Sequence, residues 1–354
     1  MKRLNRSTRS SLFTYLLVIA AFAVVQVLRT GGGISSTLEG QLVPICAYVV
    51  MALSLNLTVG ILGELSLGHA GFMSVGAFSG VVASIALTGA IPFAPVRLAV
   101  SMVIGALCAG VVGVVVGVPV LRLNGDYLAI VTLAFGEIIK NLLNSIYLGY
   151  DDAGFHFSMK DTMSLNLAEG GKVLIKGAQG IVGTPKNATF FWGFLLVMLT
   201  LFIVLNLIKS RTGRAIMSIR DNRIAAESIG INVTKYKLIA FAISAALAGA
   251  AGALYAHNFS SLVASKFDYN TSILILVFVV LGGMGNIRGS IIAATILTVL
   301  PEMLRSFSDY RMLIYAIVLI CVMIFTQSPK LVNWRKRMFA KMPQKKRDEK
   351  KGGA

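Results

Sequence analysis

Charged residues are scarce in this chain: Asp, Glu, Lys and Arg make up 14% of its 354 residues, against 56% hydrophobic ones. With a mean hydropathy of +0.78, that scarcity excludes a soluble fold of ordinary composition and leaves an all-α, polytopic integral membrane protein. Cysteine is rare too. Cys46, Cys108 and Cys321 lie in apolar runs without metal-ligand spacing, which argues for buried thiols and against a disulfide or metal role. A P-loop is missing. The one Gly-Lys pair, Gly171-Lys172, is followed by Val173 and has no upstream glycine, so ATP hydrolysis by this chain is not expected. No grouping of His, Cys or carboxylates supports metal or nucleophilic catalysis. Neither catalytic residues, a metal nor a cofactor is therefore expected. The glycines of LGGMGNIRGS fail the dinucleotide pattern as well, because Gly289 falls one place late after Gly283 and Gly285 and no strand-helix context surrounds them.

Acidic side chains number 15 against 33 basic ones, a net charge of +18. Such an excess raises nucleic acid as a partner, but its placement points instead to membrane orientation. Runs of about 20 apolar residues, enough to cross a ~30 Å hydrocarbon core as helix, recur throughout. Ten are read, at 11–28, 42–62, 67–87, 97–118, 126–148, 190–208, 238–257, 271–285, 289–307 and 311–327. The third and eighth are short or glycine-rich, and as re-entrant or broken segments they would reduce the crossings to eight. Either count places three basic segments on the cytoplasmic side: the N-terminus 1–10 with Lys2, Arg3, Arg6 and Arg9, the polar island 209–237, and the tail 328–354. The body of the protein is thus 11–327, with its longest outside segment at 149–189. That segment holds Asp151, Asp152, Asp161 and Glu169 against Lys160, Lys172, Lys176 and Lys186. It is read either as a surface for a binding protein or as a linker. The tail reads as a solvated arm or one that meets lipid headgroups. The N-terminal run resembles a cleavable signal peptide but lacks a small-x-small site, so a retained span is expected.

Within this frame three polar or glycine-rich stretches stand out. From Gly60 to Gly80 the chain reads GILGELSLGHAGFMSVGAFSG. So many glycines suit a broken helix, tolerated in a membrane only where protein or a cavity shields it. Gly63, Ser66, Gly68, His69 and Gly71 are therefore candidates for lining a translocation path; packing through Gly76 and Gly80 is the alternative. His69 needs a partner, and a structural hydrogen bond is preferred to proton relay. Glu137, Lys140, Asn141 and Asn144 share one helical face, so Glu137 and Asn141 either face a path or serve a local Glu137–Lys140 pair. Gly282, Gly283 and Gly285 mark a second break, exposing Arg288, and Glu302 and Arg305 beyond it are spaced to pair. The four-residue spacings of Gly105, Ala109, Gly113 and Gly117, and of Ala245, Gly249 and Ala253, predict packing seams.

The polar island carries Ala225-Ala226-x-x-x-Gly230, the spacing of the short helix-turn by which membrane subunits of ATP-binding-cassette (ABC) importers dock on their ATPases. With ELSLGHAGFMSVGAF from Glu64, GDYLAIVTLAFGEIIK from Gly125, GAQGI from Gly177, IAAESIGIN from Ile224, LGGMGNIRGS from Leu281 and LPEMLR ending at Arg305, the chain resembles the permeases of branched-chain amino acid ABC importers, of the LivM type. The resemblance implies a bacterial inner-membrane location and a pore shared with a second, homologous permease. It further implies two cytoplasmic ATPase subunits, an extracytoplasmic substrate-binding protein, and Leu, Ile or Val as cargo, with urea or short amides as an alternative. It also implies that Arg220, Asp221, Ala225, Ala226, Glu227 and Gly230 form the ATPase-coupling loop. Ile224 departs from the general importer pattern, which begins with Glu. A competing class is a secondary transporter using Glu137 or His69 as an ion-coupled site.

Overall fold

The computed structural model describes residues 6–33, 35–123, 125–151, 154–167, 171–304 and 310–327. The basic tail, Asp152, Glu169 and the Arg305 end of the expected Glu302 pair lie outside them. Residues 1–299 form one compact unit and residues 300–354 a second.

The first unit is helical along the first nine expected runs, the ninth extending past its end. Its elements are α1 (Arg6–Thr30), α2 (Ser36–Asn56, running into a π turn at Leu57–Leu62), α3 (His69–Ala86), α4 (Ala94–Val120), α5 (Asp126–Ser145), α6 (Phe190–Lys209), α7 (Arg211–Asp221), α8 (Arg223–Ser228), α9 (Val233–Ala256), α10 (Tyr269–Gly282) and α11 (Ile287–Met303, which continues into the second unit). In the second unit, α12 (Arg311–Gln327) is described. Among the described residues, eight helical stretches are long and apolar enough to cross a membrane. α11 and α12, at 17 residues each, sit at the short end of the spanning range. The π turn and the residues from Gly63 to Gly68 interrupt the polypeptide between α2 and α3, and the turn around Gly283 and Gly285 does so between α10 and α11. Both breaks fall where the glycines predict them.

α9 runs through the middle of this unit, packed against α2, α3 and α4, with α6 on the flank of α2. What brings these helices close is the absence of side chains. A Cβ at Gly76 of α3 would overlap the backbone of Gly249 in α9, and one at Gly105 of α4 would stand 2.7 Å from the Gly76 carbonyl oxygen. At Gly113 it would meet the Ala245 Cβ at 2.5 Å. Three small-residue stripes thus form one seam, the close backbone approach that drives association where lipid removes the hydrophobic force. Gly76→Leu should therefore lower stability by at least about 1–3 kcal/mol, read as thermal unfolding in detergent. Gly89→Ala, at a turn with nothing within 4 Å of the new Cβ, should leave the transition in place.

α1 lies on the periphery, its Phe22 ring stacked on Phe190 and Phe194 at 5.0 and 4.0 Å. The segment between α5 and α6, expected as a loop, is largely a sheet. Strands β1 (Tyr147–Asp151), β2 (Gly154–Ser158) and β3 (Lys172–Lys176) pair antiparallel in the order β2-β1-β3. A two-residue ladder, β4 (Ile181–Val182) with β5 (Ser261–Leu262), ties the segment to the chain beyond α9. Phe155 and Phe157 alternate with inward-facing residues, the period-2 signature of a half-exposed strand. The fifth run accordingly ends as helix at Ser145, not at 148. The all-α description holds for the membrane-length segments, and the sheet stands at the end of α6 opposite α7, about 30 Å away for a 20-residue helix.

A broken helix gripped by the polar segment

The polar island folds as two short helices and the first turn of a third. Ser210 caps α7 by accepting the Gly213 N–H at 3.0 Å, Asn222 caps α8 through the Ala225 N–H at 3.0 Å, and Asn232 caps α9 through the Lys235 N–H at 3.0 Å. Three cap residues in 23 positions explain why so polar a stretch is ordered at all. α7 is amphipathic. Its Ile216 packs among Leu57, Ile61, Leu62, Val204 and Ala240, seating the helix directly on the π turn of α2. α8 is held more lightly, with Ala226 buried against Ile219 and Val233, while Ile224 and Ile229 are 79% and 74% exposed. Gly230 closes α8 with φ +83°, its N–H reaching the Glu227 carbonyl and the Ile231 N–H reaching that of Ala226. A left-handed residue after a helix end of this type favours glycine.

Of the residues read as contacting an ATPase, Arg220 and Asp221 pair with one another, and Arg220 as well as Ala226 turns inward. Glu227 pairs with Arg223 at 3.1 Å along α8. Asp221 accepts from Arg220 Nη2 at 2.8 Å, and Arg220 Nη1 donates to the Gly60 carbonyl in the π turn at 3.2 Å. The Arg220 stem lies across Gly63, where a Cβ would stand 2.6 Å from Arg220 Cγ. Beside this contact Lys237, 3% exposed, is ion-paired with Glu64. Sequence reading placed Lys237 in a solvated island. It is buried because α9 begins at Val233 and carries that side chain onto the first break, where the Glu64 carboxylate compensates its charge. A cavity of about 270 Å³ lies here, lined by Gly63, Glu64, Asp126, Arg220, Arg223 and Lys237 among others.

The two breaks meet. Asn56, at the end of α2 and 1% exposed, accepts the Gly285 N–H at 2.8 Å and donates to Ser290 Oγ at 3.1 Å. A Cβ on Gly60 would overlap Gly285 N, so the π turn and the second glycine turn are in backbone contact. Gly282 packs the same way on Gly289 and Ser290 of α11. Around the first break, hydroxyl groups satisfy the backbone that an interrupted helix leaves open. Thr132 Oγ1 accepts the Leu67 N–H at 3.0 Å, and Ser272 Oγ accepts the Ala70 N–H at 3.1 Å. Gly68 and Gly71 lie against Gly136 of α5. Ser66 is fully buried, and its hydroxyl has no hydrogen-bond partner among the described residues.

His69 sits in this cluster with Nε2 2.8 Å from Ser54 Oγ. The same hydroxyl donates to the Met51 carbonyl at 2.8 Å, so the imidazole N–H is the donor in the His69–Ser54 bond. Glu137 stands apart from this arrangement. It is ion-paired with Lys140 and accepts the Tyr269 N–H at 3.1 Å, tying α5 to the start of α10, where negative charge is favourable. Asn141, one turn further along α5, is exposed. Gly63, Ser66, Gly68, His69, Gly71, Gly282, Gly283 and Gly285 thus gather at the two breaks, whereas Glu137 and Asn141 do not.

A family model described as "Branched-chain amino acid transport system / permease component" matches residues 37–323. The chain is a member of that permease family. It is 34% identical over 311 residues to the high-affinity branched-chain amino acid transport system permease protein LivM of Salmonella typhimurium, covering 85% of this chain and 72% of that protein. Its identity to the LivM protein of Escherichia coli is 36% over 287 residues, 78% of this chain and 66% of the relative. A probable LivM protein of Methanocaldococcus jannaschii is 23% identical over 270 residues, 68% and 74% of the two chains. No solved structure matches.

The matched span takes in both breaks, the sheet and α7 to α9 of the permease. Residues that sequence reasoning did not single out are central to it: Asn56, Thr132, Lys237, Ser272 and Ser290. Only Lys237 carried a signal, as a lysine at the fifth position of what becomes an apolar helix. The others are small polar residues whose partners lie tens to hundreds of positions away.

Proposed function

We propose that this chain is a membrane-spanning permease subunit of an ABC importer for branched-chain amino acids. It forms a translocation path with a second, homologous permease, receives cargo from an extracytoplasmic binding protein, and is driven by two separate ATPase subunits. The likeness to two LivM proteins over most of the chain carries this reading. α7 and α8 support it, presenting exposed Ile224 and Ile229 beside a lightly held turn, a surface suited to a protein partner. The basic N-terminus, island and tail support a position of α7 and α8 on the cytoplasmic side of a bacterial inner membrane. The β1–β3 sheet then faces outward, where it meets the binding protein. Gly63, Ser66, Gly68, His69, Gly71, Gly282, Gly283 and Gly285 border the path, with no chemistry of their own. The engagement of Glu137 with Lys140 and the Tyr269 N–H weighs against its use as an ion-coupled carboxylate.

The test is to tag the chain, extract it gently in detergent and identify by mass spectrometry what co-purifies. A second permease with one or two ATPases is expected, and reconstitution with the binding protein should give ATP-dependent uptake of Leu, Ile or Val. A chain recovered alone that still transports without ATP would overturn the reading in favour of an ion-coupled carrier. Uptake of urea or a short amide instead would overturn the cargo alone.

A further inference from the structure

Three groups converge on Gly60. Its carbonyl receives Arg220 Nη1 at 3.2 Å, its Cα face presses on the backbone of Gly285, and Asn56, four residues earlier, receives the Gly285 N–H at 2.8 Å. Gly60 lies inside the π turn Leu57–Leu62, a local irregularity of the helix of a kind frequently found at functional sites. Beyond Asn56 the contacts continue through Ser290 Oγ, which donates to the Asn286 carbonyl at 3.2 Å. A continuous path of hydrogen bonds and backbone contact therefore leads from α7 to the turn between α10 and α11. Arg220 is suited to begin it. Its planar, five-donor guanidinium holds Asp221 and the Gly60 carbonyl at once, whereas a lysine ammonium has no fixed fork.

We propose that Arg220 is a positioning residue for transport: it couples displacement of α7 to the π turn of α2, and Asn56 passes that displacement to the Gly283–Asn286 turn. This rests on the importer reading, in which an ATPase moves α7 and α8. Arg220 acts within the permease and not as a contact of the ATPase. The geometry supplies what such coupling needs, an irregular element on which both ends bear directly.

Met284 is 63% exposed at the tip of the second turn and provides a reporter. In the whole importer reconstituted in liposomes, with Cys46, Cys108 and Cys321 replaced by Ala and Met284→Cys introduced, thiol-labelling rate is measured without nucleotide and with trapped ATP. The parent complex is expected to change its rate severalfold between the two states. Arg220→Ala should abolish that difference and lower uptake per ATP hydrolysed by roughly tenfold, with the ATPases still co-purifying. Arg220→Lys should give intermediate values and covers the case in which Arg220→Ala fails to insert. A nucleotide response of parental size in Arg220→Ala, or in Arg220→Lys if only that inserts, overturns the proposal. So does a parent complex whose turn does not respond, or loss of the ATPases from the variant, which would make Arg220 a docking contact. Absence of ATPases from the parent complex would instead remove the importer reading itself.

Discussion

Gly230→Arg is expected to abolish uptake and release the ATPase subunits while leaving the chain in the membrane. The backbone argument is local. Gly230 holds φ +83°, a conformation that costs an L side chain about 1–2 kcal/mol, yet a Cβ there meets nothing within 4 Å. Folding of the membrane-spanning helices is thus little touched. The damage falls on the surface formed by α8, where a long cation would be added beside Ile224 and Ile229 in a segment already carrying seven basic residues. Gly230→Asn separates the two effects, because asparagine tolerates the left-handed region without adding charge or reach. It should retain most uptake. A deletion across Ala225 to Gly230 should reproduce the Arg phenotype. The measurements are membrane-fraction yield, ATPase co-purification and uptake; normal uptake by Gly230→Arg would dismiss the docking role of this turn.

Glu64→Gln is expected to destabilise the protein by about 3–5 kcal/mol, the cost of leaving a buried charge without its partner. Lys237 is 3% exposed and Glu64 15% by side chain, so solvent cannot substitute for the lost carboxylate. Lys237→Met should do comparable harm through the stranded Glu64. The double variant Glu64→Leu with Lys237→Met removes both charges and should recover much of the loss, since buried ion pairs are frequently no more stabilising than apolar replacements. Thermal unfolding in detergent of the parent, Glu64→Leu, Lys237→Met and the double variant forms a double-mutant cycle. Additive losses would mean that the two side chains do not depend on each other.

The helices and their breaks were legible because they depend on local quantities. Apolar runs of spanning length mark the helices whatever they pack against, and glycines at 63, 68, 283 and 285 mark positions where a regular helix gives way. The cap residues Asn222 and Asn232 and the glycine at 230 likewise act within one turn of chain. The seam of α3, α4 and α9 was legible as separate stripes of small residues, though not as a single junction. The sheet at 147–176 was passed over because its strands are five residues long and embedded in polar, glycine-rich sequence. The alternating Phe155 and Phe157 were the available sign.

Sequence alone determined a multi-span helical membrane protein of the branched-chain amino acid permease family, with a capped polar segment and two glycine breaks, since composition, periodicity and short motifs are properties of neighbouring residues. Tertiary structure decided which polar groups face inward. Arg220 meets Gly60 across 160 positions, Lys237 meets Glu64 across 173, and Asn56 meets Gly285 across 229. In a low-dielectric interior each of these groups must find a partner, but the partner is whichever group the packing of distant helices delivers, and no local pattern in the chain encodes that choice.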